Sequence, residues 1–274
     1  MQNLLIRALS GSIYVALVIF ACLGHSYGPS LLMLLFASIS IFEWQSLRPQ
    51  NFEFKNYLSG LILFLILALL FSPLFTLEEQ ISQILQFLLG LVFCSFILIQ
   101  SFSQRKDAIS VLSHNALGLI YIFPALLLIA KFPWTLGQEE PWLLLSVFIL
   151  IWSSDTFAYL SGRFLGKNKL FERISPKKTW EGFIGGLVFT LGSAVLLEYS
   201  LGIMSIVEWM GLALLVGIAG SLGDLFESAI KRSFKVKDSG SFIPGHGGIL
   251  DRIDSLLVVL PLAYLYLSLL SNIG

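Results

Sequence analysis

Charge is what this chain has least of. Asp, Glu, Lys and Arg make up 12% of its 274 residues, about half of the ~25% usual in a soluble globular domain. The 17 Lys and Arg cancel the 17 Asp and Glu, so the formal net charge is zero. Without a basic excess the chain falls outside the electrostatic nucleic-acid binders. Cysteine is also scarce. Cys22 and Cys94 lie far apart in apolar runs, which excludes a disulfide framework and thiolate metal spacing and suits small buried hydrophobes. There is no internal repeat and no low-complexity segment. The apolar stretch after Arg7 lacks a small-residue cleavage site, so it does not read as a cleavable signal peptide.

Apolar residues are abundant instead: 56% of the sequence, with a mean hydropathy of +0.85. A spanning helix needs about 20 such residues. The expected fold is all-α, a polytopic integral membrane helical bundle of about nine transmembrane helices. They are placed near 9–25, 30–47, 57–75, 81–101, 110–130, 141–161, 180–200, 206–230 and 249–272. The boundary between the seventh and eighth spans is soft, marked only by Gly202 and Glu208. The whole chain, 1–274, reads as one integral membrane domain. Residues 1–140 hold about five N-terminal spans, and 141–274 hold the catalytic spans with cytoplasmic loops 162–180 and 231–248.

The connections divide by charge. Those on one side contain Lys131 as their sole basic residue, whereas the other side and its adjoining helix ends collect the rest of the 17 Lys and Arg. The positive-inside rule makes the basic side cytoplasmic. The chain then starts inside and, after nine crossings, ends outside.

Several acids fall within or beside the expected spans: Asp155, Asp224, Glu227, Asp251 and Asp254. Charge at membrane depth points to function. Asp224, Ser228 and Lys231 are spaced i, i+4, i+7 and share a helix face, flanked by Glu227 and Arg232. These charges either neutralise one another in the bundle or meet a ligand. The following stretch, Lys237 to Gly248, holds four glycines in the nine residues 240–248 and a proline. It is a loop that lets backbone N–H groups approach a ligand, and it feeds a helix start near Ile249, where anions are favoured. Asp251 and Asp254 in that first turn either cap the helix or hold a divalent cation beside a phosphate. Oxygen-only donors favour Mg²⁺ over zinc, and the lone loop residue His246 gives no ground for a zinc site. In the sixth span Asp155, Ala158, Tyr159 and Gly162 share a face. Ser175-Pro176 then reads as an N-cap followed by proline at the first helical position, which puts Lys177 and Lys178 at a helix start. Two lysines there oppose the helix dipole, a conflict that a polyphosphate would resolve. Carboxylates, cations and a glycine loop at the cytoplasmic surface suit phosphoryl or nucleotidyl transfer, with a lipid as one substrate.

The stretch Ser228-Ala229-Ile230-Lys231-Arg232, followed by Lys237-Asp238-Ser239-Gly240 and Ser241-Phe242-Ile243-Pro244-Gly245-His246-Gly247-Gly248-Ile249-Leu250-Asp251-Arg252-Ile253-Asp254, resembles the motif of the CDP-diacylglycerol synthases, or phosphatidate cytidylyltransferases, and shows no departure from it. The segments Asp155–Gly162 and Ser175-Pro176-Lys177-Lys178-Thr179-Trp180-Glu181-Gly182 are also similar to family motifs. The first ~140 residues match only as hydrophobic spans. The resemblance implies that CTP and phosphatidate give CDP-diacylglycerol and pyrophosphate, at the bacterial inner membrane with the active site facing the cytoplasm. It implies Asp224 and Asp251 as Mg²⁺ ligands with Asp254 and Asp155 behind them, Lys231 as a further catalytic residue, and a second cation and a homodimer. For substrate binding it implies Lys177, Lys178, Arg232, Lys237, Ser228, Arg252, Tyr159, His246, Gly247 and Gly248. A CTP-dependent polyprenol or lipid-alcohol kinase is the alternative enzyme. A membrane transporter is the alternative non-enzyme, disfavoured because the acids cluster near one surface.

Overall fold

In a computed structural model, residues 2–47, 108–245 and 247–273 are described. The expected spans 57–75 and 81–101 lie outside them. The described residues form seven long helices: α1 (Gln2–Leu23), α2 (Gly28–Ser46), α3 (Ala108–Lys131), α4 (Pro141–Leu165), α5 (Trp180–Leu201), α6 (Ile206–Ser233) and α7 (Leu250–Ile273). A two-stranded antiparallel hairpin, β1 (Lys169–Phe171) and β2 (Ser175–Thr179), joins α4 to α5. Five helices are long and apolar enough to cross a membrane: Ile6–Leu23 of α1, α4, α5, α6, and Leu250–Leu270 of α7. Neither α2 nor α3 meets that standard; Ile120–Trp134, the end of α3 and the turn after it, is apolar but shorter. The helical membrane class therefore holds, while the count of about nine is not reached among the described residues.

Local signals explain the helix limits. Gly202 ends α5 in the left-handed region at φ 60°, a conformation glycine adopts without Cβ strain. Three residues later Ser205 opens α6: its hydroxyl accepts from the Glu208 N–H, while Glu208 accepts from the Ser205 N–H at 2.7 Å. This reciprocal capping box sharpens a boundary that hydropathy alone leaves soft.

The core runs through the bundle as fully buried Leu143, Leu144 and Leu150 on α4, Trp209 and Leu212 on α6, and Ile253 and Leu260 on α7. Phe20, Phe164, Tyr199 and Val207 are exposed on the outside, as expected of a surface facing acyl chains. α4 packs on α5, α5 on α6 and α6 on α7, while α1 leans on α2 and α4. Small residues set these distances. A Cβ on Gly182 would lie 2.8 Å from the Ala158 carbonyl, and one on Gly223 would lie 2.8 Å from the Asp254 carbonyl. The α6–α7 approach brings the acids of both helices to one end of the bundle.

Gly223→Val is expected to lower the thermal midpoint of the detergent-purified protein, a destabilisation of about 1–3 kcal/mol from overpacking. Gly192→Ala, with nothing within 4 Å of the added Cβ, should leave it unchanged in the same fluorescence-detected melting series. An equal loss in both variants would contradict the close α6–α7 approach.

Candidate active site

The hairpin revises the expected helix start at Ser175. Ser175–Thr179 is extended and pairs with Lys169–Phe171, in the register Lys169 to Thr179 and Phe171 to Ser175. The residue before a proline is biased away from the helical region, and Lys177 and Lys178 would face an unfavourable dipole at a helix start. The cap falls to Thr179, whose hydroxyl accepts from the Gly182 N–H at 3.1 Å. Glu181, in the first turn, then accepts from the backbone N–H groups of Lys167 at 3.1 Å and Asn168 at 3.2 Å, tying the hairpin base to α5. Residues 162–165, expected in a loop, complete α4, and 231–233 complete α6.

Between the hairpin and the ends of α4, α6 and α7 lies a cavity of about 720 Å³. Asp155, Tyr159, Lys177, Lys178, Asp224, Lys231, Asp251, Arg252 and Asp254 all line it. The sequence drew these residues from four separate segments, and the fold brings them to one wall. Arg163, Asp238 and Ser221 line it as well. Asp238 belongs to the motif without having been singled out in it, and Arg163 and Ser221 carried no signal beyond their nearness to the motifs.

Ion pairs order this wall. Lys231 Nζ donates to Glu227 Oε2 and Asp251 Oδ1, each at 2.6 Å, and so ties α6 to α7. Glu227 is 1% exposed, and its Oε1 has no hydrogen-bond partner among the described residues. Lys178 Nζ reaches Asp224 Oδ2 at 2.7 Å and the Ser221 carbonyl at 3.3 Å, tying the hairpin to α6. Ser228 donates to Asp224 at 3.3 Å, as its i+4 spacing predicts. The side chains of Lys177 and Arg252 line the cavity with no ion pair or hydrogen bond among the described residues. Asp254 lies within electrostatic reach of Asp224, Glu227 and Asp155, so this corner carries more acid than its cations neutralise.

Other candidates stand apart from that wall. Arg232 donates to the Val236 carbonyl at 3.1 Å, bracing the turn after α6. Neither Arg232 nor Lys237 lines the cavity. His246 lies outside the described residues. The glycine loop does feed the start of α7, yet the N–H groups of Ser239, Gly248, Ile249 and Leu250 are already taken by carboxylates of the chain itself. Asp251 accepts from the N–H of Gly248 at 2.8 Å and of Ser239 at 3.0 Å. Glu43, on α2, accepts from the N–H of Ile249 at 3.0 Å and of Leu250 at 2.8 Å. The chain's own carboxylates have satisfied the positive helix end. Gly247, at φ 85°, presses against Asp251, since a Cβ there would fall 2.7 Å from Oδ2. Nothing in the sequence near the motif pointed to Glu43.

A metal ion finds oxygen donors here, though not a finished cage. Among the described residues no three His, Cys, Asp or Glu side chains already converge on one point. Mg²⁺ keeps several waters and takes one or two carboxylates plus substrate phosphates. Asp155, Asp224 and Asp254, with the orphaned Glu227 oxygen behind them, fit that donor set.

Lys231→Met strands Glu227 and one oxygen of Asp251. Its expected cost is roughly 3–5 kcal/mol of stability, with partial recovery in Lys231→Met/Glu227→Gln. Chemical or thermal unfolding of both variants checks this; no recovery in the double variant would refute the coupling.

A second cavity of about 440 Å³ adjoins the first and shares Asp155, Asp251, Arg252 and Asp254 with it. Tyr14, Val15, Ile151 and Trp152 form its apolar side, between α1 and α4.

The profile described as "Cytidylyltransferase family" matches residues 5–270. A phosphatidate cytidylyltransferase of Staphylococcus aureus (strain COL) is 50% identical over 120 residues, which is 43% of this chain and 46% of the relative. The Bacillus subtilis (strain 168) protein of the same name is 48% identical over 124 residues, 45% of this chain and 46% of the relative. That of Staphylococcus saprophyticus is 38% identical over 164 residues, 59% of this chain and 58% of the relative. The chain thus spans about half the length of the curated relatives it matches. With the family profile extending over almost all of its residues, the chain belongs to the cytidylyltransferase family.

Proposed function

We propose that this chain is a phosphatidate cytidylyltransferase, forming CDP-diacylglycerol and pyrophosphate from CTP and phosphatidate. One observation carries the reading: two cavities, one polar and one with an apolar side, meet at a shared wall of Asp155, Asp251, Arg252 and Asp254. The larger cavity suits the nucleotide. The smaller suits the glycerol and upper acyl carbons of a lipid whose phosphate reaches Arg252. A phosphomonoester loses its second proton near pH ~6, so the attacking oxygen arrives charged and needs no strong base. The demand on the protein is to hold two anions together and stabilise the charge that moves to the leaving pyrophosphate.

The side chains of Lys177 and Arg252 have no hydrogen bond or ion pair to give up among the described residues and would contact phosphates directly. Arg163, held by the Tyr159 hydroxyl at 3.4 Å, offers a third cation. Lys178 and Lys231 act differently: their ammonium groups hold Asp224 and Asp251 in place. Asp224, Asp254 and Asp155, with Asp251 alongside, are the residues that would hold Mg²⁺, and a second cation would draw on the same group. When bound, Mg²⁺ supplies charge neutralisation on the triphosphate. Ser228 steadies Asp224, while Gly247 and Gly248 shape the loop against Asp251. Arg232, Lys237 and His246 enter only as contacts the bound substrates would reach. The proposal includes a homodimer, placement in the bacterial inner membrane and a site facing the cytoplasm. The basic residues gathered at the site's end of the bundle support that orientation.

The test uses purified protein, labelled CTP, phosphatidate and Mg²⁺, with pyrophosphate and labelled lipid as readouts. Wild type should release one pyrophosphate per CDP-lipid and stop on chelation. Asp224→Asn and Asp254→Asn should each lower turnover at least ~100-fold while melting near wild type. CDP release with transfer of phosphate to a lipid alcohol would favour the kinase instead. Near-normal turnover in both variants would overturn the metal assignment.

A further inference from the structure

The bonds around Glu43 lead to a residue that neither the motif nor the cavity contains. It sits on α2, far ahead of the motif segments, and it is 3% exposed. A buried carboxylate is costly unless its oxygens are hydrogen-bonded, and these are filled from a single source. Oε1 accepts from the Ile249 N–H at 3.0 Å, and Oε2 accepts from the Leu250 N–H at 2.8 Å and the Ser239 hydroxyl at 3.3 Å. The backbone closes on the same group: a Cβ on Gly240 would lie 2.6 Å from Oε1. No ammonium or guanidinium pairs with Glu43 among the described residues, so backbone N–H groups and the positive end of α7 balance its charge.

These bonds bear on the cavity through Asp251. The loop segments that Glu43 clamps, Ser239 and Ile249–Leu250, flank the two N–H groups, Ser239 and Gly248, that hold Asp251. Asp251 in turn fixes Lys231. The chain of contacts runs Glu43, loop, Asp251, Lys231, and each link is a hydrogen bond or ion pair between neighbours rather than a route inferred from distance.

We propose that Glu43 is a positioning residue of the active site: it caps α7 from α2, and so fixes the glycine loop and presents Asp251 to the cavity. The helix cap lies 207 positions away in sequence from the N–H it satisfies, which makes α2 an integral part of the site. The inference deepens the cytidylyltransferase reading, and its kinetic arm rests on that reading.

The experiment pairs hydrogen exchange with kinetics on the full-length protein in detergent. In wild type, the amides of Ile249 and Leu250 should exchange as slowly as those in the middle of α6; exchange at the rate of an open loop would overturn the proposal before any variant is made. Glu43→Gln keeps the shape but turns an NH2 group toward one of the two N–H donors. It should raise exchange across 239–250 at least ~10-fold and leave 186–200 of α5 unchanged. It should also lower kcat at least ~10-fold with the KM for CTP within ~3-fold, at a thermal midpoint close to wild type. Ser239→Ala, a milder lesion in the same cluster, should shift both readouts in the same direction by less. A role in stability alone predicts the opposite: uniform loosening, a lower midpoint, and wild-type kcat for the folded fraction. Either that pattern or unchanged exchange in the loop sinks the proposal. Failure of wild type to make CDP-lipid would instead sink the activity while leaving the exchange result to stand.

Discussion

The site depends on charge that cannot stay alone in a low-dielectric bundle. Lys231 is the clearest instance, placed between Glu227 on its own helix and Asp251 on α7. Such a group is costly to bury and more costly to orphan, so the pairing fixes how α6 and α7 meet. Lys178, which is more exposed, makes a comparable tie between the hairpin and Asp224. Together the two pairs hold the elements that form the larger cavity, and they do so with the same carboxylates that chemistry would recruit. Holding the fold and preparing the site are therefore one set of contacts. Close backbone packing makes these contacts short. Gly223 lets α6 lie against the Asp254 carbonyl, and a larger residue would pull the acids of the two helices apart.

Much of this was legible in the sequence because it is local or periodic. The i, i+4 step from Asp224 to Ser228 became a hydrogen bond, and acids from three hydrophobic segments reached one cavity. The spans from α4 onward were found within a few residues. The hairpin was missed because Ser-Pro reads as a helix start, and a five-residue polar strand leaves little periodicity to detect. Lys177 and Lys178 nonetheless reached the cavity, from a strand rather than a helix end. The free N–H groups expected at α7 were already taken, since only a folded structure shows that Glu43 arrives from α2. A single glutamate in an apolar helix carries no sign of its partner. Arg232 lay in the motif yet braces a turn; motif membership does not say which way a side chain points.

The division of space follows the division of helices. The larger cavity is bounded by the hairpin and the polar ends of α4, α6 and α7, whereas the smaller is faced by α1 and the apolar side of α4. Among the described residues α1 is the least enclosed of these five helices, with 11% of Ile6–Leu23 buried. Its outer face, with Leu9, Ile13 and Phe20, is open to the surroundings. The wall the two cavities share is therefore charged on one side and faces apolar side chains on the other.

The long reach of Glu43 bears on how the protein is made. Leu250 is polymerised 207 residues after the carboxylate that caps it, a delay of roughly 10–40 s at about 5–20 residues per second. Through that interval α2 carries an acid whose eventual neighbours do not yet exist. The polar cavity can close only once α7 is in place, so a nascent fragment that stops short of Leu250 lacks the wall that Asp251, Arg252 and Asp254 complete.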